Sequence, residues 1–419
     1  MNAGRQVFEF LKMASEAHAR WEVEVSLNIL RNRKRVLLLL FLLLPILAVA
    51  VCEGATMLGG KTAYAPAHYS TSIFLVSIVI GLCAGLITGC IGAGGGFIIT
   101  PALMAAGIKG ILAVGTDLFH IFAKAIMGTA VHRKLGNVSV KLAIAFLVGS
   151  GLGTVIGGTL NKALYNKDPL LSDTFISVIY SILLGFLGFY ALFDFLKSSR
   201  GGPAVSSQGG GHEAHGSASG MTGVALKLQN LNIPPMLTFD EDLGGRKLSG
   251  VIVALGGLVV GILAAVMGVG GGFVTFPMFV YIFGVSSMTT VGTDIFQIIF
   301  TAGLGAIGQY AIYGYVFYTL AMGMLIGSLV GIQLGALTTK VVKGVHIRGF
   351  YAISILAGFI NRAAVLPQKL TELEIVNIPA SVSGPIDSVG TVIFWAVVGF
   401  FGVWVLSKFF GNLQALREG

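Results

Sequence analysis

The chain has 419 residues, of which 55% are hydrophobic and only 11% charged, with 60 glycines and a net charge of +9. A soluble domain carries about 25% charged residues, so this scarcity, with apolar runs near 20 residues, excludes a large soluble enzyme and describes a polytopic helical membrane protein. The apolar runs are continuous rather than alternating, which excludes a transmembrane β-barrel. The basic residues sit in short loops, where positive-inside orientation accounts for them better than nucleic-acid binding does.

Residues 1–35 form a cytoplasmic segment. Within it Phe8, Leu11, Trp21 and Val25 lie among balanced charges, a pattern for a helix on the membrane surface. A first span is expected at 36–52, its apolar run Val36–Val51 preceded by Arg31, Arg33, Lys34 and Arg35. Ala48-Val49-Ala50 resembles a signal-peptidase site, but the charged region before it is long for a signal peptide, so the expectation is a retained anchor. Cys52, Cys83 and Cys90 fall in apolar segments without a CxxC pair, and no disulfide framework or zinc site is readable. Cys83 and Cys90 share a helix face, either as small packing residues or, for Cys90, as a sulfur-handling thiol.

A first membrane repeat is expected over 72–196, with apolar segments at 72–91, 97–108, 113–131, 138–160 and 173–196. A second is expected over 248–410, with segments at 248–268, 273–283, 288–311, 315–338, 347–366 and 388–410, followed by a cytoplasmic tail at 411–419. Segments 97–108 and 273–283 are too short to span: twelve helical residues cover about 18 Å of a roughly 30 Å hydrocarbon core. Between the repeats, 197–247 is a cytoplasmic linker whose first part is Gly/Ser-rich and whose His212 and His215 are read as incidental. Val224, Leu226 and Leu228 alternate ahead of Asn232-Ile233-Pro234-Pro235, a pattern for a small β element.

The most informative feature is a duplication. Gly92-Ala93-Gly94-Gly95-Gly96-Phe97 precedes Pro101 and Gly115-Thr116-Asp117, and Gly268-Val269-Gly270-Gly271-Gly272-Phe273 precedes Pro277 and Gly292-Thr293-Asp294. Glycine clusters break helices, and breaks at matching positions in two halves of a membrane protein point to a transport site. With the N-terminus in the cytoplasm and each broken pair returning to the side it entered from, most of the 27 Lys and Arg fall on the cytoplasmic side. The first repeat then begins outside and the second inside. The expected fold is therefore all-α and polytopic, with two inverted-topology repeats carrying glycine-broken half-helices and an extra N-terminal transmembrane helix.

Gly94, Gly95, Gly96 and Gly270, Gly271, Gly272 expose backbone amides where Phe97 and Phe273 open the next helices. A helix N-terminus carries about half a positive charge and free N–H donors, so two that converge make a site for a small oxyanion. No GK[ST] follows and no strand precedes, so this is not a nucleotide loop; the plainer account is close helix packing, which also covers Gly149, Gly153 and Gly157. Asp117, His120 and Lys124 share one helix face, and Asp294, Gln297 and Thr301 occupy the matching face of the second copy. Ionisable groups inside a span are functional candidates by default: Lys124 for the anion's charge, Asp117 or His120 for a linked proton. Alternatively, Lys124 snorkels to an interface, and Thr116-Asp117 and Thr293-Asp294 cap helix starts. Asn361-Arg362 is either an oxyanion clamp or an interfacial anchor. No HExxH, GxSxG or clustered carboxylate pair is present, so an enzyme is not expected, and no cofactor is implied.

With its duplicated glycine break, following Phe and Pro, and GTD about twenty residues on, the chain resembles the TauE/SafE sulfite exporter, or anion permease, family over roughly 72–366. The resemblance implies a bacterial inner-membrane transporter, usually an exporter, of sulfite, sulfonates or related sulfur anions. The loop charges place both termini in the cytoplasm, the bilayer is the chain's environment, and without an ATP-binding motif proton or ion coupling would suffice as its drive. Two rivals stay open: a membrane sensor or assembly partner acting through the 197–247 linker, and a sulfur-handling protein using Cys90.

Overall fold

The computed structural model describes residues 71–91, 95–134, 138–199, 223–231, 233–239, 245–338, 341–342 and 344–412. The expected first span, the expected surface helix, Cys52, the histidine pair of the linker and residues 413–419 of the expected C-terminal tail lie outside them. The described residues belong to one compact unit, Thr62–Gly419.

The first half contains α1 (Thr71–Ile91), α2 (Gly96–Ala105), α3 (Gly110–Lys134), α4 (Val140–Lys167) and α5 (Pro169–Ser199). A short helix α6 (Gly223–Gln229) and strands β1 (Met236–Phe239) and β2 (Arg246–Ser249) connect the halves. The second half contains α7 (Gly250–Met267), α8 (Gly272–Pro277, continued as π-helix over Met278–Phe283), α9 (Ser287–Gly303, continued in π and 3₁₀ geometry to Tyr313), α10 (Tyr318–Thr338) and α11 (Gly344–Ala364). A short α12 (Leu366–Glu372) and the 32-residue α13 (Ala380–Gly411) follow. Among the described residues, seven helices are long and apolar enough to cross a membrane, while α2 remains a short apolar helix. The protein is an all-α, multi-pass membrane protein.

Each half is completed by the other. α1 packs along α10 and α4 along α7, so the first helix of each half lies against the fourth helix of its counterpart. Glycines make this possible. Gly323, Gly327, Gly331 and Gly335 recur every four residues, and a Cβ on the last three would collide with the carbonyls of Ile78, Leu82 and Leu86. Gly149, Gly153 and Gly157 present the same ridge to Ala254, Leu258 and Ile262. Lipid tails are as apolar as leucine, so close backbone approach and dispersion hold such helices together. Both seams run parallel. By contrast α3 pairs with α9, and α5 with α11, in antiparallel fashion: Leu118 meets Gly305 while Phe122 meets Gly303, and Gly185 meets Phe359 while Phe195 meets Gly349.

The connector departs from the expected alternation. Val224, Leu226 and Leu228 belong to the α6 helix, and the two strands come after the prolines, paired antiparallel from Met236↔Ser249 to Phe239↔Arg246. Phe239 and Leu248 of the hairpin join Phe146, Phe279 and Phe283 in one buried cluster. Gln229 Nε2 donates to the Phe283 carbonyl at 2.8 Å, which fastens α6 to the far end of the second half-helix.

The seams give a paired expectation. Gly327→Leu drives a side chain into the α1 backbone and is expected to cost at least about 1–3 kcal/mol, whereas Gly399→Leu, where nothing lies within 4 Å of an added Cβ, is expected to change stability by no more than about 0.5 kcal/mol. Thermal unfolding in detergent checks both; equal losses would show that the seam does not depend on glycine.

Candidate functional site

The two glycine breaks meet. Gly92, Ala93 and Gly94 lie outside the described residues, but Gly95 immediately precedes α2, and a Cβ on Gly96 would sit 2.8 Å from Val269 Cα of the second break. Reciprocally, a Cβ on Gly268 would sit 2.7 Å from Val114 Cα and 2.9 Å from Thr100 Oγ1. Gly268, Gly270 and Gly271 have φ of 79°, 65° and 87°, a left-handed run that side chains other than hydrogen resist. Phe97 and Phe273, the first aromatic residue of each half-helix, are buried with ring centroids 6.0 Å apart. Of the expected substrate-facing residues, Gly96 is thus packed against Val269 of the second break and Phe97 against Phe273, while Gly270 and Gly271 face Ile121 and Val260.

An aspartate stands at each half-helix start. Asp117 Oδ2 is 3.3 Å from where a Gly96 Cβ would lie, and Asp294 Oδ2 is 3.1 Å from the Gly272 position. Thr100 Oγ1 donates to Asp117 Oδ2 at 3.0 Å. From there the two copies diverge. In the second, Gln297 Nε2 donates to Asp294 Oδ1 at 2.9 Å, Thr301 Oγ1 donates to Gln297 Oε1 at 2.7 Å, and Ser150 Oγ of α4 completes the chain 2.9 Å from Thr301. In the first, His120 Nε2 lies 2.8 Å from Ser328 Oγ of α10, and its Nδ1 faces Asp117 Oδ1 at 3.6 Å with no hydrogen bond between them.

The threonines of the two GTD triplets do not cap their own helices, since α3 begins at Gly110 and α9 at Ser287. They serve the opposite half. Thr116 Oγ1 accepts from Phe317 N–H at 2.9 Å, at the entrance to α10, and Thr293 Oγ1 accepts from Ser139 N–H at 3.0 Å, at the entrance to α4. Capping therefore does explain these residues, but it acts across the duplication.

Lys124 is half-buried one turn beyond His120, with no hydrogen-bond or ion-pair partner among the described residues. Asn361 and Arg362 are 0% and 3% exposed, which removes the interfacial-anchor reading. Asn361 Oδ1 accepts from Arg362 Nε and Nη2 at 2.8 and 2.5 Å, while Asn361 Nδ2 donates to Thr391 Oγ1 of α13 at 3.1 Å. Cys90 is buried and its thiol donates to the Gly335 carbonyl at 3.3 Å, on the α1–α10 seam. Four contributors escaped sequence reasoning. Tyr180 and Tyr310 donate to the carbonyls of Met267 and Ala265, both at 2.5 Å, where α7 ends before the break. Ser150 and Ser328 carry the polar chains into the fourth helices. Their signal was present, for each follows a glycine at matching positions in the two halves, Gly149-Ser150 and Gly327-Ser328.

A family model described as "Sulfite exporter TauE/SafE" matches residues 77–362, from the middle of α1 to the end of α11, and so covers both breaks and both polar chains. The chain belongs to the TauE/SafE family. It is 25% identical over 274 residues to the "Probable membrane transporter protein YunE" of Bacillus subtilis (strain 168), covering 63% of this chain and 87% of that protein. It is 24% identical over 269 residues to the "Probable membrane transporter protein YjnA" of the same organism, covering 62% and 87%. A "Probable membrane transporter protein" of Xylella fastidiosa (strain Temecula1 / ATCC 700964) is 26% identical over 162 residues, covering 38% and 60%. No solved structure matches. This TauE/SafE protein is a membrane transporter, and α13 lies beyond the matched region.

In a TauE/SafE chain built this way, Thr116→Val orphans the buried Phe317 N–H and Thr293→Val the half-buried Ser139 N–H, each at the start of the partner half's fourth helix. Each is expected to cost about 1–3 kcal/mol, visible as similar falls in thermal unfolding temperature; a loss confined to one of them would break the equivalence.

Proposed function

We propose that the protein is a secondary transporter that exports a small sulfur oxyanion, such as sulfite or an organosulfonate, across the bacterial inner membrane by alternating access between two inverted halves. The observation that carries this reading is the meeting of the two glycine breaks at Phe97 and Phe273, with a half-helix N-terminus on either side. Unsatisfied N–H groups and the helix dipole favour an anion there, and irregular backbone at membrane depth occurs only where protein or a cavity surrounds it.

The antiparallel pairing of α3 with α9 and of α5 with α11 supports the inversion, because a twofold axis in the membrane plane reverses the direction of equivalent helices. With both termini in the cytoplasm, each break enters the membrane from its own face. The breaks are packed shut on each other, so passage requires the halves to part first on one side and then on the other. Gly94, Gly95, Gly96 and Gly270, Gly271, Gly272 supply backbone donors, and Lys124 supplies charge. Sulfur as the element carried rests on the family description alone.

Flux into proteoliposomes of sulfite, sulfate, thiosulfate and ethanesulfonate, with and without a pH gradient, tests the reading. Saturable movement of at least one sulfur anion is expected, and Lys124→Gln is expected to raise its half-saturation concentration about tenfold, or ~1.4 kcal/mol. Indifference to all four anions overturns the proposal.

A further inference from the structure

The two copies differ in one respect that packing does not require. In the second, every polar atom of the Asp294–Gln297–Thr301 chain has a partner, and the Gln297 amide is a permanent donor to Asp294 Oδ1. In the first, two fully buried atoms, Asp117 Oδ1 and His120 Nδ1, face each other 3.6 Å apart without a hydrogen bond. The Ser328 hydroxyl donates to the Leu325 carbonyl at 3.3 Å, which leaves its lone pairs toward His120. With the hydroxyl committed in this way, we assign His120 Nε2 as the donor in the 2.8 Å contact. That tautomer leaves Nδ1 as a bare acceptor opposite a carboxylate oxygen, itself an acceptor. A proton taken up on either atom turns this acceptor–acceptor mismatch into a donor facing an acceptor.

From this geometry we infer that the Asp117–His120 pair is the proton-binding site of the transporter and that its proton travels in the same direction as the anion, so that export draws on the anion's own outward gradient and an imposed pH gradient can run the same cycle as uptake. The inference rests on the transporter reading above. Asp117 Oδ2 stands at the Gly96 start of α2, the end that would receive an anion. An ionised carboxylate there repels an incoming anion at short range in a medium of low dielectric. A proton taken up by the pair removes that repulsion, so anion and proton bind together or not at all. Asp294 stands in the same place at Gly272, but its Oδ1 already accepts from the Gln297 amide and faces no unpartnered base among the described residues, so the coupled proton is assigned to the first copy. The other titratable groups around the pair are Lys124 on the same helix and Tyr180 on α5; Thr100 of α2 and Ser328 of α10 are neutral. The Tyr180 hydroxyl is committed to the Met267 carbonyl, and Lys124 is placed to meet the anion.

The deciding variant is supplied by the chain itself: His120→Gln gives the first copy the residue of the second. In wild-type proteoliposomes a trapped pH dye is expected to report one proton entering with each ethanesulfonate or sulfite monoanion, and a gradient of one pH unit to sustain about tenfold accumulation. His120→Gln is expected to slow flux and abolish the gradient-driven accumulation. Asp294→Asn is expected to slow flux while the residual transport still accumulates about tenfold. Accumulation that survives His120→Gln, or is lost in Asp294→Asn, overturns the inference. A second measurement needs no substrate. Infrared titration of purified protein is expected to show a carboxylic-acid band that Asp117→Asn removes and whose midpoint Ser328→Ala shifts, because that change frees the His120 tautomer without removing the base. A band absent from wild type, or unmoved by Ser328→Ala, also overturns it. If no anion moves but the band behaves as described, the transport reading fails while the proton site stands.

Discussion

A helix cannot be broken inside a membrane unless protein takes over the hydrogen bonds that the break releases. That constraint shapes this molecule more than any other. The chain is broken at Gly95–Gly96 and again at Gly268–Gly271, and the surrounding structure answers each break. The breaks lie on one another, closer than any side chain would permit at Gly96 or Gly268. Tyrosine hydroxyls from α5 and from the end of α9 take the carbonyls of Met267 and Ala265 that α7 can no longer use. Threonines of the two GTD triplets take N–H groups at the entrances of α10 and α4. Polar side chains in these apolar helices are spent almost wholly on backbone groups or on one another.

The same constraint explains why the halves interlock rather than sit side by side. A half-helix of ten residues cannot reach across the hydrocarbon, so the counterpart half must fill the remaining depth. Exchanging partners, α1 with α10 and α4 with α7, places the fourth helix of one half directly behind the break of the other. The glycine ridges then let Ser150 and Ser328 approach the polar face of the facing third helix. Seam and site are one construction: the close backbone approach along α4 and α10 is what brings those hydroxyls within hydrogen-bond distance of Thr301 and His120.

Much of this was legible in the residues. The glycine breaks, the short half-helices and the grouping of Asp117 with His120 and of Asp294 with Gln297 follow from spacing, because helical periodicity is local. Partners contributed by the other half were not legible. Thr116 and Thr293 looked like caps of their own helices because a GTD triplet carries no mark of a distant N–H. Arg362 looked like an interfacial anchor because its position near a helix end hides the fact that α13 covers it through Thr391 and Asn361. The alternation in Val224, Leu226 and Leu228 suggested a strand, yet that stretch coils as α6 with Ala225 buried, and the strands form only beyond Pro235. In each case a contact distant in sequence overrode a local pattern.

What duplication alone would have produced is a symmetric site, and the departure from symmetry is small in atoms but large in chemistry. Gln297 and His120 occupy matching positions three residues beyond their aspartates; His120 meets Ser328 of α10 directly, whereas Gln297 is linked to Ser150 of α4 through Thr301. An amide has fixed donors and fixed acceptors, so the second chain has a single satisfied arrangement. An imidazole can exchange donor and acceptor between its two nitrogens, and with one of them on Ser328 the other has no hydrogen-bond partner among the described residues. Burial makes an unsatisfied state costly, on the order of 1–3 kcal/mol for a neutral polar group, and of the two aspartate-led chains only the first has buried atoms without partners. One half therefore carries a fully paired polar chain, and the other carries the pair whose partners are incomplete.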